Sequence, residues 1–325
     1  LEILELSTVY MRIYFLGVIP ALIYNIGSGI LRAVGDSKRP LYFLILSCIA
    51  NIILDIFFVV VLKLGVAGVA IATSLSQVIS AVMVIVALVK AEDSYRLYLR
   101  EIRFSPFFLR NIIRIGLPAG LQSSMYSVSN LIVQSSINSF GTDTVAAWAA
   151  YGKIDGLFWM TVGAFGISIT TFVGQNYGAR EYGRIRRGMK QCLAMAMGVA
   201  VCMSTVLYCF GGRVYLLFID DSTVIARGQE ILRFLVPTFF TYVSIEILSG
   251  TLRGIGDSII PMLLTCGGVC LLRVVWIVIM VPLFPRLETV MVSYPLSWVI
   301  TSFLFVLYYN CFSRMRHLPK ERSAA

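Results

Sequence analysis

Histidine and charged residues are scarce in this sequence. The 325 residues include one histidine, His317, and only 14% of them are Asp, Glu, Lys or Arg. Because His317 lies in a polar stretch near the last residue, a histidine-based catalytic apparatus inside the chain is excluded. No cluster of carboxylates takes its place. The sequence therefore argues against an enzyme and predicts no organic cofactor.

The seven cysteines do not follow a metal-binding pattern. All of them fall in apolar runs, and Cys266 and Cys270 share a helix face without a histidine or a second cysteine pair nearby. We therefore interpret the cysteines as small packing residues, and the sequence predicts neither a metal site nor a disulfide.

Apolar residues make up 58% of the chain, which excludes an ordinary soluble domain. Apolar runs long enough to cross a bilayer as helices, which takes roughly 20 residues, occur at 7–32, 40–62, 65–89, 114–139, 144–174, 190–211, 230–253, 259–282 and 289–311. The predicted fold class is an all-α polytopic membrane protein with about nine spanning helices.

The net charge of +10 is distributed unevenly between the predicted loops. Nineteen Lys and Arg residues lie in alternate loops and the C-terminal tail, whereas the loops between them hold four. This asymmetry indicates orientation in a membrane rather than binding to nucleic acid. It predicts a multi-pass protein of the inner (plasma) membrane with a cytoplasmic C-terminus.

One short motif occurs twice, 221 positions apart, at 28–40 and 249–261. Each copy reads Ser-Gly-x-Leu-Arg-x-x-Gly-Asp-Ser, with a proline three residues after the last Ser. This pattern is typical of the polar end of one helix and the start of the next. The glycines, Gly35 and Gly256, are predicted to end a helix in the left-handed conformation. The following Asp and Ser can cap the next helix, and each Arg lies four residues before an Asp that it could bridge. A well-made helix hairpin explains this chemistry without any function.

The match at this offset extends beyond the motif, so we interpret it as a duplicated half-protein. Six predicted helices separate the two turns, which makes the halves parallel repeats of six helices. The predicted organisation is the C-terminal half of an N-lobe at 1–91, a cytoplasmic linker with an interfacial helix at 92–113, a C-lobe at 114–311 and a basic cytoplasmic tail at 312–325. On this interpretation three further helices precede residue 1, and the chain alone does not transport.

Ionisable residues inside predicted spans are candidates for a transport pathway, because a charge in the bilayer is costly unless it is paired or hydrated. The candidates are Asp55, Lys153, Asp155, Glu246 and Arg273. The spacing is compatible with a pair between Glu246 and Arg273. The alternatives are buried ion pairs that lock helices together, or groups that line a cavity and alternately hold a coupling cation and a substrate cation.

The run 114–139 has an unusually polar face. At a spacing of four residues it carries Gln122, Tyr126, Asn130, Gln134 and Asn138. This spacing places them in a stripe along one helix face. The stripe indicates a hydrated pathway, with Gln122, Asn130 and Gln134 as candidate substrate-binding residues; the alternative is hydrogen bonding that holds helices together.

Together these motifs resemble the MATE (multidrug and toxic compound extrusion) family. The resemblance depends on the paired Leu-Arg-x-x-Gly-Asp-Ser turns, on Gly-Leu-Pro-Ala-Gly at 116–120 and on Phe-Val-Gly-Gln-Asn-Tyr-Gly-Ala at 172–179. It extends over essentially the whole chain and is nearest to the bacterial members. It implies twelve helices in two six-helix lobes around a central cavity.

The resemblance also implies a function. It implies a monomeric secondary antiporter that exports amphipathic, cationic compounds in exchange for H⁺ or Na⁺ by alternating access, with the lipid bilayer, these compounds and the coupling ion as its partners. Two departures concern the ion: the family's first-helix aspartate would lie before residue 1 on this interpretation, and 114–139 lacks the carboxylate that NorM-like members carry on helix seven. The acidic residue of the family's tenth helix is approximated by Glu246. The alternatives are a lipid-linked saccharide flippase of the same superfamily and a non-transporting, truncated membrane protein.

Overall fold

The computed structural model describes residues 2–219 and 221–313, and in this part of the chain all regular structure is helical. Most of the expected basic tail therefore lies outside the described residues. The α-helices are α1 (Glu2–Ala33), α2 (Lys38–Ile56), α3 (Gly65–Val89), α4 (Pro106–Asn138), α5 (Thr142–Gly178), α6 (Tyr182–Tyr215), α7 (Ser222–Leu235), α8 (Phe240–Gly254), α9 (Ile259–Thr265), α10 (Leu272–Leu283) and α11 (Leu287–Cys311).

Seven helical segments of the described chain are long and apolar enough to cross a membrane, or eight if α7 and α8 form one bent span. The 50° bend between α7 and α8 lies at the short 3₁₀ turn Val236–Thr238. Pro237 explains this bend, because proline cannot donate a helical hydrogen bond. Short π-helical segments, Phe57–Val61 after α2 and Cys266–Leu271 between α9 and α10, continue two of the spans. The all-helical membrane fold is confirmed.

If α7 and α8 count as one span, the described residues contain one span fewer than the predicted nine, and the helix that accounts for the difference is α4. With 33 residues it is long enough to cross a bilayer, but it is not among the helices that are apolar enough to do so. Its polar stripe lowers its hydropathy. A membrane helix with such a stripe needs a polar or hydrated surface to face.

The chain divides into two compact units, Leu1–Phe104 and Ser105–Ala325. In the first unit α1 packs closely against α3. Gly17 of α1 lies against the backbone of Ser74 in α3, and the Ser74 hydroxyl donates to the carbonyl of Ile13 at 3.1 Å. Small residues thus let the two helices approach closely, as is common between membrane helices.

The second unit is organised around α5, which packs against α6, α7 and α8. Phe158 of α5 stacks on Phe239, which precedes α8, with ring centroids 4.1 Å apart. Two glycines of the duplicated motif, Gly250 and Gly254, bring α8 into close contact with the backbone of α5. The core of this unit therefore combines large aromatic side chains with close helix contacts at glycine.

The two copies of the duplicated motif form the same turn. Gly35 and Gly256 have φ values of 92° and 85°, as the sequence predicts. In each turn the next residue donates its backbone N–H to the carbonyl five residues earlier, Asp36 to Leu31 at 2.9 Å and Asp257 to Leu252 at 3.0 Å. These bonds satisfy the last carbonyls of a helix in the way a left-handed glycine allows.

The side chains of the two turns differ from the expected Arg–Asp bridges. Asp36 forms an ion pair with Arg39 at 3.2 Å and also accepts the backbone N–H of that residue in the first turn of α2, whereas the N-cap residue Ser37 makes no side-chain cap hydrogen bond. Asp257 instead accepts a hydrogen bond from Tyr308 of α11 at 3.1 Å. The predicted local bridges were wrong because groups that follow the turn in the chain or lie on another helix reach each carboxylate instead.

The expected interfacial helix at 92–113 was also wrong. Residues 92–105 form turns and one 3₁₀ turn, Leu99–Glu101, and the rest of the segment belongs to α4. Ser105 is extended and Pro106 is the first residue of α4. Proline disfavours a helical residue before it but suits the first helical position, so a helix begins here and cannot extend backward.

Candidate functional site

The second unit contains a cavity of about 400 Å³ between α4, α5, α8, α10 and α11. Its walls combine aromatic side chains with a few polar and charged groups. The lining residues are Tyr126, Asn130, Val133, Gln134, Trp148, Tyr151, Gly152, Asp155, Trp159, Tyr242, Arg273 and Tyr294. Apolar walls with few polar groups are typical of small-molecule sites.

One face of α5 provides much of this wall. Trp148, Tyr151, Asp155 and Trp159 follow one another at spacings of three and four residues, which places them on the same side of the helix. The Trp159 indole donates to one carboxylate oxygen of Asp155, Oδ2, at 2.5 Å. The other oxygen, Oδ1, is buried and has no hydrogen-bond partner. The carboxylate is thereby oriented and retains hydrogen-bonding capacity.

Arg273 lines the same cavity and carries the charge opposite to that of Asp155. It is 3% exposed, and its guanidinium carbon lies 4.0 Å from the centre of the Tyr294 ring. Its Nη2 donates to Ser297 Oγ at 3.3 Å, and its Nε has no hydrogen-bond partner. Within the described residues, no carboxylate lies within ion-pair distance of it. Arg273 is therefore a buried cation held by an aromatic face and one hydroxyl.

The polar stripe of α4 divides into two parts. Tyr126, Asn130 and Gln134 line the cavity, whereas Gln122 and Asn138 are outside its lining. The Tyr126 hydroxyl also lies 3.2 Å from that of Tyr242 on α8. The stripe thus contributes both to the cavity wall and to contact between helices, which are the two roles that the sequence left open.

Glu246 is outside the cavity lining. Its carboxylate forms an ion pair with Arg253, on the same helix, at 3.1 Å, and accepts a hydrogen bond from Tyr242 at 3.3 Å. The pairing with Arg273 that the spacing allowed is not formed. Arg253 lies seven residues after Glu246, two turns along the same face of α8, and thus reaches the carboxylate directly.

Lys153 and Asp55 are also outside this cavity. Lys153 is exposed, and its ammonium group lies 5.5 Å from the ring centre of Phe218, in the turn after α6. Its long side chain reaches the turn after α6 rather than this cavity. Asp55 belongs to the first unit, near the end of α2, where its Oδ1 is buried without a hydrogen-bond partner.

Sequence reasoning missed the aromatic walls. Trp148, Tyr151 and Trp159 surround Asp155 on α5, and Tyr242 and Tyr294 complete the cavity from α8 and α11. The signal was the spacing of Trp and Tyr around Asp155, because these aromatics have polar tips that suit a cavity wall. No comparable pattern in the sequence indicates that Tyr242 of α8 and Tyr294 of α11 belong to the same wall.

Comparison with known proteins supports this architecture. The family model MatE matches residues 1–57 and 118–279. The chain is 27% identical over 78% of its length to "Probable multidrug resistance protein YpnP" of Bacillus subtilis, and 24% identical over 95% to "Probable multidrug resistance protein YoeA" of the same organism. These matches span 57% and 68% of the two relatives.

Solved structures show the same fold. A structure titled "Crystal structure of MATE in the bent conformation" matches with a TM-score of 0.89 at 24% identity, over 98% of this chain and 70% of that chain. A second, titled "Reverse polarity of binding pocket suggests different function of a MOP superfamily transporter from Pyrococcus furiosus Vc1 (DSM3638)", matches with a TM-score of 0.89 at 25% identity, over 98% and 71% of the two chains. The chain is a multi-pass membrane protein and belongs to the MATE family.

Proposed function

We propose that the protein acts as a secondary antiporter that exports amphipathic, cationic compounds in exchange for H⁺ or Na⁺. The observation that carries this proposal is Asp155, a carboxylate held by Trp159 in an aromatic-walled cavity. Aromatic faces and a carboxylate both attract cations, while the apolar walls accept the rest of an amphipathic molecule. The relatives named as multidrug resistance proteins support the same role.

Exchange follows if the coupling ion and the substrate compete for the same carboxylate. Binding of H⁺ or Na⁺ to Asp155 removes the charge that holds a cationic substrate, so the ion favours the substrate-free state. A ligand shifts a conformational equilibrium only through different affinities for its two states. Alternating access of the cavity then converts an inward ion gradient into outward transport.

The proposal includes a location and partners. The protein would lie in the inner (plasma) membrane, with its C-terminus in the cytoplasm, and would act as a monomer in the bilayer. Glu246 is a weaker candidate for the coupling carboxylate than Asp155, because its ion pair with Arg253 already compensates its charge.

The test follows ethidium uptake into inverted membrane vesicles that contain the transporter, first under an imposed H⁺ gradient and then under an imposed Na⁺ gradient. We expect uptake with one gradient and its loss in Asp155→Asn, which keeps an acceptor for Trp159 but removes the charge. The matched control is Glu230→Gln, which removes an exposed carboxylate on α7. Dye movement that responds to neither gradient would contradict antiport and would favour the flippase alternative.

A further inference from the structure

We infer that the second unit binds an anionic phospholipid at a site formed by α6, α7 and the start of α8, with the lipid phosphate at Arg213 and Arg233 and an acyl chain in an adjoining apolar groove. This site shares no lining residue with the cavity that contains Asp155. The inference concerns the surrounding membrane and does not depend on the proposed antiport.

The polar part of the site is a cavity of about 360 Å³ between the last turns of α6 and the second half of α7. Arg213 lines it from α6, and Arg233 and Gln229 line it from α7. Among the residues that the structure describes, no carboxylate lies within ion-pair distance of either arginine. Two cations that line one cavity repel each other, so an anion between them is favourable.

Close contact between α6 and α7 brings these groups to one cavity. Gly212 of α6 leaves space for the side-chain amide of Gln229, and a Cβ atom at Gly212 would collide with the amide nitrogen. That amide can donate hydrogen bonds to an anion, and each guanidinium offers a fork of N–H donors that matches phosphate oxygens. The donors of the cavity therefore suit a phosphate group.

The cavity lies where a spanning helix ends. The segment Tyr182–Tyr215 is one of the candidate membrane spans, and Arg213 is in its last turn. Phe210, Leu216 and Phe218 around it are exposed, and the Phe210 ring centre lies 5.8 Å from the guanidinium carbon of Arg213. Exposed apolar surface next to a cation is typical of the boundary between lipid tails and headgroups. Lipid phosphate is the abundant anion at that level.

A second, apolar cavity of about 470 Å³ adjoins the first, and the two share Tyr208. Its lining residues are Val201, Ser204, Thr205, Tyr208, Pro237 and Phe240. The Ser204 hydroxyl donates to the Val236 carbonyl at 2.9 Å and the Thr205 hydroxyl to the Val201 carbonyl at 2.8 Å, so both are already satisfied. This apolar groove offers a surface for a hydrocarbon chain.

The order of the two cavities along α6 matches a phospholipid. Thr205 lies eight residues before Arg213, which corresponds to about 12 Å along a helix. The groove therefore leads from the arginines into the span, as an acyl chain leads from its headgroup into the bilayer. A free phosphate ion would occupy only the polar cavity, so the groove favours a lipid as the ligand.

The charge of the site selects among phospholipids. A zwitterionic headgroup such as phosphatidylcholine brings an ammonium group into the field of two arginines, whereas phosphatidylglycerol brings only a negative charge. Each basic residue near a membrane surface contributes a several-fold preference for anionic lipid. With two arginines, we expect phosphatidylglycerol to bind about tenfold more tightly than phosphatidylcholine.

The test titrates the purified protein in a neutral detergent with either lipid, both with palmitoyl and oleoyl chains, and measures the dissociation constant of the first bound lipid by native mass spectrometry. Inorganic phosphate, added at the same concentration as the lipid, should leave lipid binding unchanged because it lacks the chain. Displacement of the lipid by this phosphate would contradict a lipid site.

The variants identify the groups responsible. Arg213→Gln combined with Arg233→Gln should remove the preference for phosphatidylglycerol, and Lys at both positions should retain part of it. Thr205→Trp fills the groove and should weaken both lipids alike. The matched control is Arg12→Gln on α1, an exposed arginine 221 positions before Arg233, the offset of the duplicated motif. All four positions are exposed, so the substitutions should not disturb folding.

The possible results decide the inference. Equal affinity for the two lipids in the native protein overturns it, and so does a preference that survives the double Gln variant. An equal loss in Arg12→Gln would show a general effect of surface charge and would also overturn it. A preference that is lost only in the double Gln variant supports the site, whether or not the protein shows gradient-driven dye uptake.

Discussion

Glu246 and Arg253 form an ion pair along one face of α8, with Glu246 Oε1 3.1 Å from Arg253 Nη2. The side chains are 19% and 24% exposed, respectively, so the pair is mostly shielded. Gly166 of α5 lies directly under the Glu246 carboxylate, where a Cβ atom would collide with it. The absence of a side chain at Gly166 on α5 thus leaves room for the charged pair on α8.

Removal of this pair should reduce stability. Glu246→Gln leaves the Arg253 guanidinium with a neutral partner, and we expect a loss of about 1 kcal/mol, the upper end for a partly exposed pair. Unfolding by SDS titration of the purified chain measures it. The control is Glu230→Gln, whose partner Arg227 is also on α7 and whose pair is more than half exposed on both sides. An equal loss in the two variants would show that shielding does not strengthen the pair.

The duplicated motif offers a matched test of helix packing. Gly250 in the second copy faces Ile169 and the Gly166 carbonyl of α5, and a Cβ atom there would lie 2.7 and 2.8 Å from them. Gly29 occupies the same motif position in the first copy and has no neighbour within 4 Å. We expect Gly250→Ala to cost about 1–3 kcal/mol through overpacking, and Gly29→Ala to be neutral or slightly stabilising. Both are measured by SDS titration, and equal effects would contradict the packing argument.

The turn glycines should be sensitive for a different reason. Gly35 and Gly256 adopt left-handed backbone conformations, and a Cβ atom added at Gly256 would have no neighbour within 4 Å. We expect Gly256→Ala to cost roughly 1–2 kcal/mol because of backbone strain alone. Thermal unfolding followed by circular dichroism measures the change. Gly163→Ala, a helical position of α5 with open space, is the control and should lose nothing.

The start of α7 should show a dependence on pH. Asp221 caps this helix by accepting hydrogen bonds from the Thr223 backbone N–H and hydroxyl at 2.8 and 2.7 Å, which hold the pKa of its carboxyl below the usual value. Its lower pKa in the folded state means that the contribution is present above the ordinary aspartate pKa and is lost as pH falls through the folded-state pKa. Asp221→Ala should therefore destabilise the chain at neutral pH and less in acid.

The control for this prediction is Asp221→Asn, which keeps an oxygen acceptor but does not titrate. The stability difference between the Asn and Ala variants should stay constant with pH, whereas that between the native chain and the Ala variant should shrink in acid. Thermal unfolding midpoints from pH 3 to 7 measure both. A native–Ala difference that does not change with pH would contradict the role of the Asp221 charge.

The sequence predicted the features that are set by residues close together in the chain. Apolar runs predicted the helices, because a bilayer requires long apolar segments with internal hydrogen bonds. The turns at Gly35 and Gly256 were predicted correctly, because only glycine adopts a left-handed conformation there without strain. The polar stripe at Tyr126, Asn130 and Gln134 was identified as unusual for a helix in lipid, and it lines the cavity.

Side-chain partners could not be predicted in the same way. Asp36 lies next to Arg39, Asp257 next to Tyr308, and Glu246 next to Arg253 rather than Arg273. These contacts depend on helix rotation and on which groups compete for a carboxylate, and spacing along the chain does not specify either of them.

By itself the sequence determined the class of protein, its helices, its paired turns and its resemblance to the MATE family. These follow from the residue types in short segments and from the lengths of the apolar runs. Only the tertiary structure decided that Asp155 and Arg273 line one cavity, that Lys153 and Glu246 lie outside it, and that tryptophans and tyrosines form its walls. The physical reason is that a cavity forms where side chains from several helices meet, and that meeting is set by how the helices pack.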